Sequence, residues 1–277
     1  AWVLAATAGT ATQDTRLAVQ IVGWGRGMAC WPIDYIELPG DPADDEVWTA
    51  LTELLSRPIE HASGALLRIE ASAQDMLGHR TEGVKPLVRA KRLRRHIAVF
   101  GATANNAPPL GKGRLQEINW RGQYDKRGVH AYPVGTVAIK HMLYGWLSSD
   151  ADKAPGERRV RFSDQLGLDY FGGLVSGTYN PAKNRFEKKR GGPRNEPLDT
   201  WVYAYAATHH PELRLHRATK ADWDAREARL TLPATTPDQR DSRETLPNPA
   251  STPRPSDSRG TPRPTPGGIV DGDWVIR

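Results

Sequence analysis

The chain has 277 residues, 38% hydrophobic and 25% charged, enough for one sizeable core or two small ones. No apolar run approaches the ~20 residues that span a bilayer, and no stretch has the layout of a secretory signal. The single cysteine, Cys30, excludes an internal disulfide and a multi-cysteine zinc site, while the formal net charge of +6 suits either a polyanion partner or a plain basic surface.

The chain opens on Ala1 rather than Met, directly on the apolar run Trp2-Val3-Leu4, which reads as a cut edge. The run Leu17-Ala18-Val19-Gln20-Ile21-Val22-Gly23-Trp24 is β-branched and alternates, and with the turn Gln13-Asp14-Thr15 before it residues 3–12 and 17–25 are expected to form a hairpin. A third strand runs from Trp31 to Leu38 and is closed by Pro39-Gly40-Asp41-Pro42. A helix follows from Asp45, with Val47, Trp48, Leu51, Leu54 and Leu55 on one face. Residues 65–75 read as a fourth strand, Thr81 to Arg95 as a second helix, and His96 to Gly101 as a short buried strand. Past a Gly/Pro/Asn loop at 101–113, a strand is expected at Val129–Val134. Thr136 should then cap a helix through Leu147. Asn195 suits the N-cap of a last helix and Pro197 its first turn, with Leu198, Val202, Tyr205 and Ala206 as the buried stripe. Trp24, Trp31, Trp48 and Trp146 are expected in the core. Strands, a helix, a strand, a helix and a strand make an α/β order round a mixed sheet.

Composition shifts near residue 218. The expected layout is a folded domain over 1–218, a disordered linker rich in Pro, Ser, Thr and Arg over 219–266, and a short apolar docking motif over 267–277 with Ile269, Val270, Trp274, Val275 and Ile276. The linker lacks the apolar surface needed to offset its chain entropy.

Two acids stand out by context. Asp75 ends the fourth strand, and strand ends facing a crevice are where α/β sheets place their sites; a turn-forming acid that caps the next helix is the alternative. Asp199 borders the apolar stripe of the last helix, one turn before Tyr203; favouring the helix dipole is the alternative there. Carboxylates from separate elements could hold the two ions, roughly 4 Å apart, that straddle a scissile phosphate. Three or four such ligands are usual.

Four stretches, in order, resemble the C-terminal nuclease domain of the terminase large subunit of lambda-like phages. They are Ala8-Gly9-Thr10-Ala11-Thr12-Gln13-Asp14-Thr15-Arg16-Leu17, then Asp75-Met76-Leu77-Gly78-His79-Arg80-Thr81, then Gly135 with Lys140 and Leu143, and finally Asn195-Glu196-Pro197-Leu198-Asp199 with Tyr203 and Ala206-Ala207. The resemblance covers roughly residues 5–215. It implies a ribonuclease H-like mixed sheet flanked by helices, with a Pro-rich C-terminal tail. It also implies Mg²⁺- or Mn²⁺-dependent cutting of concatemeric double-stranded DNA during packaging, in the cytoplasm of the bacterial host. Asp75 and Asp199 match two metal-binding acids of that family. Its first strand reads Gly-x-Asp-x-Gln, whereas this chain has Gly9-Thr10-Ala11-Thr12-Gln13, so a ligand is replaced by Ala11 and Asp14 lies too far along to substitute. Cleavage by this chain is therefore expected to be poor.

Lesser candidates surround these positions. Glu196 and His79 are secondary metal ligands, with first-turn capping and a surface histidine as the plainer alternatives. Lys140 matches a family lysine and is a candidate phosphate contact, as are Arg92 and Arg95 after the second helix and Lys188, Lys189, Arg190 and Arg194 before the last; solvated basic faces are the alternative. His209, His210 and His216 lack the partners of a zinc site. Gly111-Lys112-Gly113 is no phosphate-cradling loop, so no ATP site is expected. The portal and the small terminase subunit are the implied protein partners, with no membrane. The rival readings are an inactive DNA- or portal-binding terminase remnant and a related ribonuclease H-like transposase or resolvase.

Overall fold

A computed structural model describes residues 3–77, 83–118, 124–154, 158–231 and 275–276. The first hairpin forms as its alternation requires, from β1 (Ala5–Thr12) and β2 (Arg16–Trp24), and β3 (Cys30–Pro39) adds antiparallel to β2. Helix α1 (Asp45–Ser56) buries Val47, Trp48, Leu51 and Leu55. The expected strand at 65–75 is broken at Arg68. A small hairpin, β4 (Ile59–His61) with β5 (Leu66–Leu67), precedes the true sheet strand β6 (Ile69–Asp75). Helix α2 (Val84–Ala90) is shorter than the sequence suggests: Lys91 takes a left-handed conformation (φ 49°) and stops it well before Arg95.

Strand β7 (His96–Gly101) follows, then β8 (Arg114–Ile118) and β9 (Tyr124–Val134), which form a hairpin of which only Val129–Val134 was expected. The seven-stranded order is β3-β2-β1-β6-β7-β9-β8; β1, β6, β7 and β9 pair in parallel, β2 runs antiparallel between β3 and β1, and β8 pairs antiparallel with β9. A mixed sheet of this kind, flanked by helices, is the expected α/β architecture. Helix α3 (Thr136–Ser149) has Gly135, not Thr136, at its cap position. The short α4 (Leu168–Leu174) and the hairpin β10 (Gly177–Asn180) with β11 (Arg185–Lys188) follow.

Helix α5 (Glu196–Ala207) is the hub. It lies on β1, β2 and β6, and α3 and α4 pack against it in turn, so it is buried all round rather than along one stripe. That closeness requires Gly9: a Cβ there would stand 2.0 Å from Thr200 O and 2.5 Å from Ala204 N. Thr7 Oγ1 donates to Ala204 O at 2.7 Å, fixing the same approach one pleat earlier. The four tryptophans named above are all buried. The region expected to be linker from residue 219 instead begins as a helix, α6 (Lys220–Thr231), because Trp223 and Leu230 give it something to bury. Most of the tail lies outside the described residues; Val275–Ile276 forms a strand, β12, that pairs in parallel with β4.

Between β6 and β7, Ser72 Oγ and His96 Nδ1 lie 2.7 Å apart, while His96 Nε2 is buried without a partner. Burial pushes the imidazole pKa from 6.5 down to about 4. The unfolded chain therefore takes up a proton that the folded chain refuses, and this residue's contribution to stability is lost as pH falls from 6.5 through 4. His96→Asn, which can keep the Ser72 bond, is expected to lose less thermal stability than the parent between pH 7 and pH 4.5. Equal losses in paired thermal melts would remove His96 from the account.

Candidate active site

Parallel pairing of β1 with β6 places Gly9 beside Ala73 and Thr10 beside Gln74, so the same register sets Ala11 alongside Asp75 at the ends of the two strands. Residues of like parity share a face. Thr7 and Gly9 face α5, as does Ala11, which is 4% exposed. Asp75 is on that face too, since the buried Tyr203 of α5 reaches it by a side-chain hydrogen bond. Its Oδ1 also accepts the Leu77 N–H at 3.1 Å.

Burial raises the Asp75 pKa to about 6, the Leu77 N–H and Tyr203 hydroxyl oppose the rise, and the nearby charge of Asp199 adds to it. Tyr203 is held well above the ordinary phenol range by burial and by the same two carboxylates. Asp75 and Asp199, 124 positions apart by their numbering, thus share one site with Tyr203.

Asp199 is already partnered. Its Oδ1 lies 2.6 Å from Lys140 Nζ of α3, and its Oδ2 accepts the Asn195 side-chain amide. Asn195, expected as an N-cap, makes no side-chain cap bond and spends its amide on Asp199 instead. Glu196 turns away to Arg16: Oε1 accepts from the guanidinium at 2.9 Å, and Arg16 Nε lies 3.3 Å from Glu37. That pairing gives Glu196 a structural role, anchoring the first turn of α5 to the start of β2. Its Oε2 is buried without a hydrogen bond.

The basic candidates divide. Lys140 is at the site. Lys188 ends β11, and Lys189 and Arg190 follow it, all exposed. Arg194 is 61% exposed, 3.7 Å from Glu37. Arg92 and Arg95 lie elsewhere, where β6 and β7 begin rather than where β6 ends at Asp75; Arg95 is spent on Glu70 O at 3.4 Å and Glu212 at 3.5 Å. His79 lies outside the described residues. His209 and His216 stack at 3.7 Å, and no group of three His, Cys, Asp or Glu suited to a metal is found among the described residues.

Sequence reading missed the β10–β11 hairpin, whose aromatic residues pack on α3 beside Lys140. The turn signal Asn180-Pro181 between Tyr179 and Phe186 was available for it. A cavity of about 530 Å³ bounded by Tyr35, Glu37, Tyr170 and Arg194 is separate from the paired carboxylates.

Comparison with known proteins is consistent in kind. The family model described as terminase large subunit gpA, endonuclease domain, matches residues 1–223. The terminase large subunit of Enterobacteria phage P21 is 26% identical over 214 residues, covering 73% of this chain and 32% of that protein. The terminase large subunit of Escherichia phage lambda is 27% identical over 218 residues, covering 73% and 31%. The chain thus spans about a third of the length of these curated relatives. A solved mutant nuclease domain of the large terminase subunit gp2 of bacterial virus Sf6, with manganese, aligns at TM-score 0.42 and 13% identity, covering 72% of this chain and 86% of that one.

Proposed function

Because the chain belongs to the family of terminase large subunit gpA endonuclease domains, we propose that it is a DNA-hydrolysing domain whose own cleavage is impaired at Ala11. The observation that carries this reading is the register placing Ala11 beside Asp75, on the face that Asp199 and Tyr203 also reach. Phosphodiester hydrolysis in this family reading draws on divalent ions, which polarise the phosphate and supply the nucleophilic water. The residues present do not fit a pair of such ions. Among the described residues two carboxylates converge, and one of them is held by an ammonium group at 2.6 Å. Ala11, on the face that both reach, offers no oxygen donor in its side chain.

What the chain retains is a shaped anionic centre bordered by cations. Tyr203 fixes the orientation of Asp75, and Lys140 and Asn195 fix that of Asp199. In this reading a DNA phosphate would compete with Asp199 for Lys140. Double-stranded DNA is the substrate in this reading, the portal and small terminase subunit are the assembly partners, and the host cytoplasm is the setting. Among the described residues no helix is long and apolar enough to cross a membrane.

The second reading, an inactive terminase remnant that binds DNA or portal, is favoured by the same Ala11 and by the Lys140–Asp199 pair. Conversion of supercoiled plasmid in Mn²⁺ separates the two: Ala11→Asp should gain nicking, and adding Asp199→Asn should remove the gain. Equal, negligible nicking by all three proteins supports the remnant.

A further inference from the structure

Beside the paired carboxylates stands a cluster of rings that the cleavage chemistry does not use. His141 of α3 is exposed. Its ring centroid lies 4.5 Å from that of Tyr179 on β10 and 4.9 Å from that of Phe186 on β11, and Tyr179 and Phe186 are 5.3 Å apart. Lys140 joins this cluster to the site, with Nζ 2.6 Å from Asp199 and 5.9 Å from the Phe186 ring centre. Exposed Lys188, Lys189 and Arg190 continue from β11. Lys183 and Arg185, in contrast, are engaged with Glu187 at 2.9 Å each, which stiffens the hairpin rather than offering charge.

A hairpin that needed only to pack on α3 could bury its rings fully against that helix. This one leaves three rings half-buried or exposed, next to a cation row and one residue from the Asp199 partner. We infer that the β10–β11 hairpin and His141 form a stacking platform for unpaired nucleotides next to the Asp75–Asp199 site. The duplex substrate is then engaged at this site where its strands are locally opened. The physical basis is that an unpaired base exposes a π-face that aromatic side chains can cover, while a paired base has both faces already stacked. Cations beside the rings track the backbone in either case. This inference rests on the DNA-hydrolysis reading above.

The test uses the full chain in EDTA at one fixed salt concentration, with fluorescent oligothymidine and a fluorescent duplex, each about 20 nucleotides long, as probes. Tyr179→Leu with Phe186→Leu keeps apolar volume and removes the rings. It is expected to weaken oligothymidine binding about tenfold and leave duplex binding nearly unchanged. Lys188→Ala with Lys189→Ala should weaken both probes and flatten the salt dependence. His141→Ala removes an exposed ring without touching the hairpin. It should give a smaller loss confined to oligothymidine, which decides the matter if the double variant disturbs the hairpin. Equal losses on both probes, or none, would overturn the platform. Failure of the parent chain to bind either DNA would instead remove the DNA-hydrolysis reading beneath it.

Discussion

Ala11→Asp is expected to raise Mn²⁺-dependent nicking of plasmid DNA by on the order of 100-fold. The size follows from what a ligand does. Even partners one shell out from a metal typically change affinity or activity 10–100-fold, and a direct ligand should exceed that range. The register makes the substitution specific: position 11 lies beside Asp75 and faces α5, where Asp199 stands. Before metal is added, the new carboxylate would be buried between Asp75 and α5, since Ala11 is 4% exposed. An unpaired buried charge costs about 2 kcal/mol or more, so in EDTA the variant should melt roughly 5 °C below the parent. Mn²⁺ should return that loss in the variant and change the parent little. A variant that melts lower but neither gains nicking nor responds to Mn²⁺ would show that position 11 is structural only.

Gly9→Ala is expected to cost about 3 kcal/mol, a large fraction of the net stability of a domain. The added Cβ would meet the Thr200 carbonyl at 2.0 Å and the Ala204 nitrogen at 2.5 Å. Both are backbone atoms of the central helix, so no side chain can swing aside to make room. Relief requires α5 to move off β1, and Asp199 and Tyr203 travel with it. Denaturant unfolding and DNA binding should therefore weaken together. A Gly9→Ala chain within 1 kcal/mol of the parent would mean the strand and helix are less tightly apposed than the Thr7–Ala204 bond implies.

Much of this arrangement was legible in the residues, for identifiable reasons. Short apolar, β-branched runs bounded by turn residues mark β1, β2 and β3, and the boundaries of β7 are legible to the residue, because short-range patterning sets both. Asp75 and Asp199 were found through their places at a strand end and beside an apolar stripe. Their meeting depends on the packing of α5 across β1 and β6, which local patterning does not contain. The loss of Glu196 to Arg16 was likewise hidden, since an acid in a first turn looks the same whether it caps the helix, binds a metal or pairs with a distant arginine.

Arg92 and Arg95 were drawn in by charge density. Lys91 ends α2 early, and the chain enters β7 at the end of the sheet away from Asp75. Helix α6 was read as linker because its mean composition is polar, and only Trp223 and Leu230 tie it to the core. The β10–β11 hairpin is short and charged, and its stability comes from rings that meet α3 rather than from its own pattern.

The most direct measurement is anomalous diffraction from crystals of Ala11→Asp grown or soaked in Mn²⁺, beside the parent treated identically. The account predicts manganese in the variant bound by the new carboxylate together with Asp75 and Asp199, and Lys140 displaced from Asp199; the parent should show weaker manganese at that place or none. Manganese bound equally in both crystals, or in neither with Lys140 still on Asp199, would contradict the claim that Ala11 is the missing ligand.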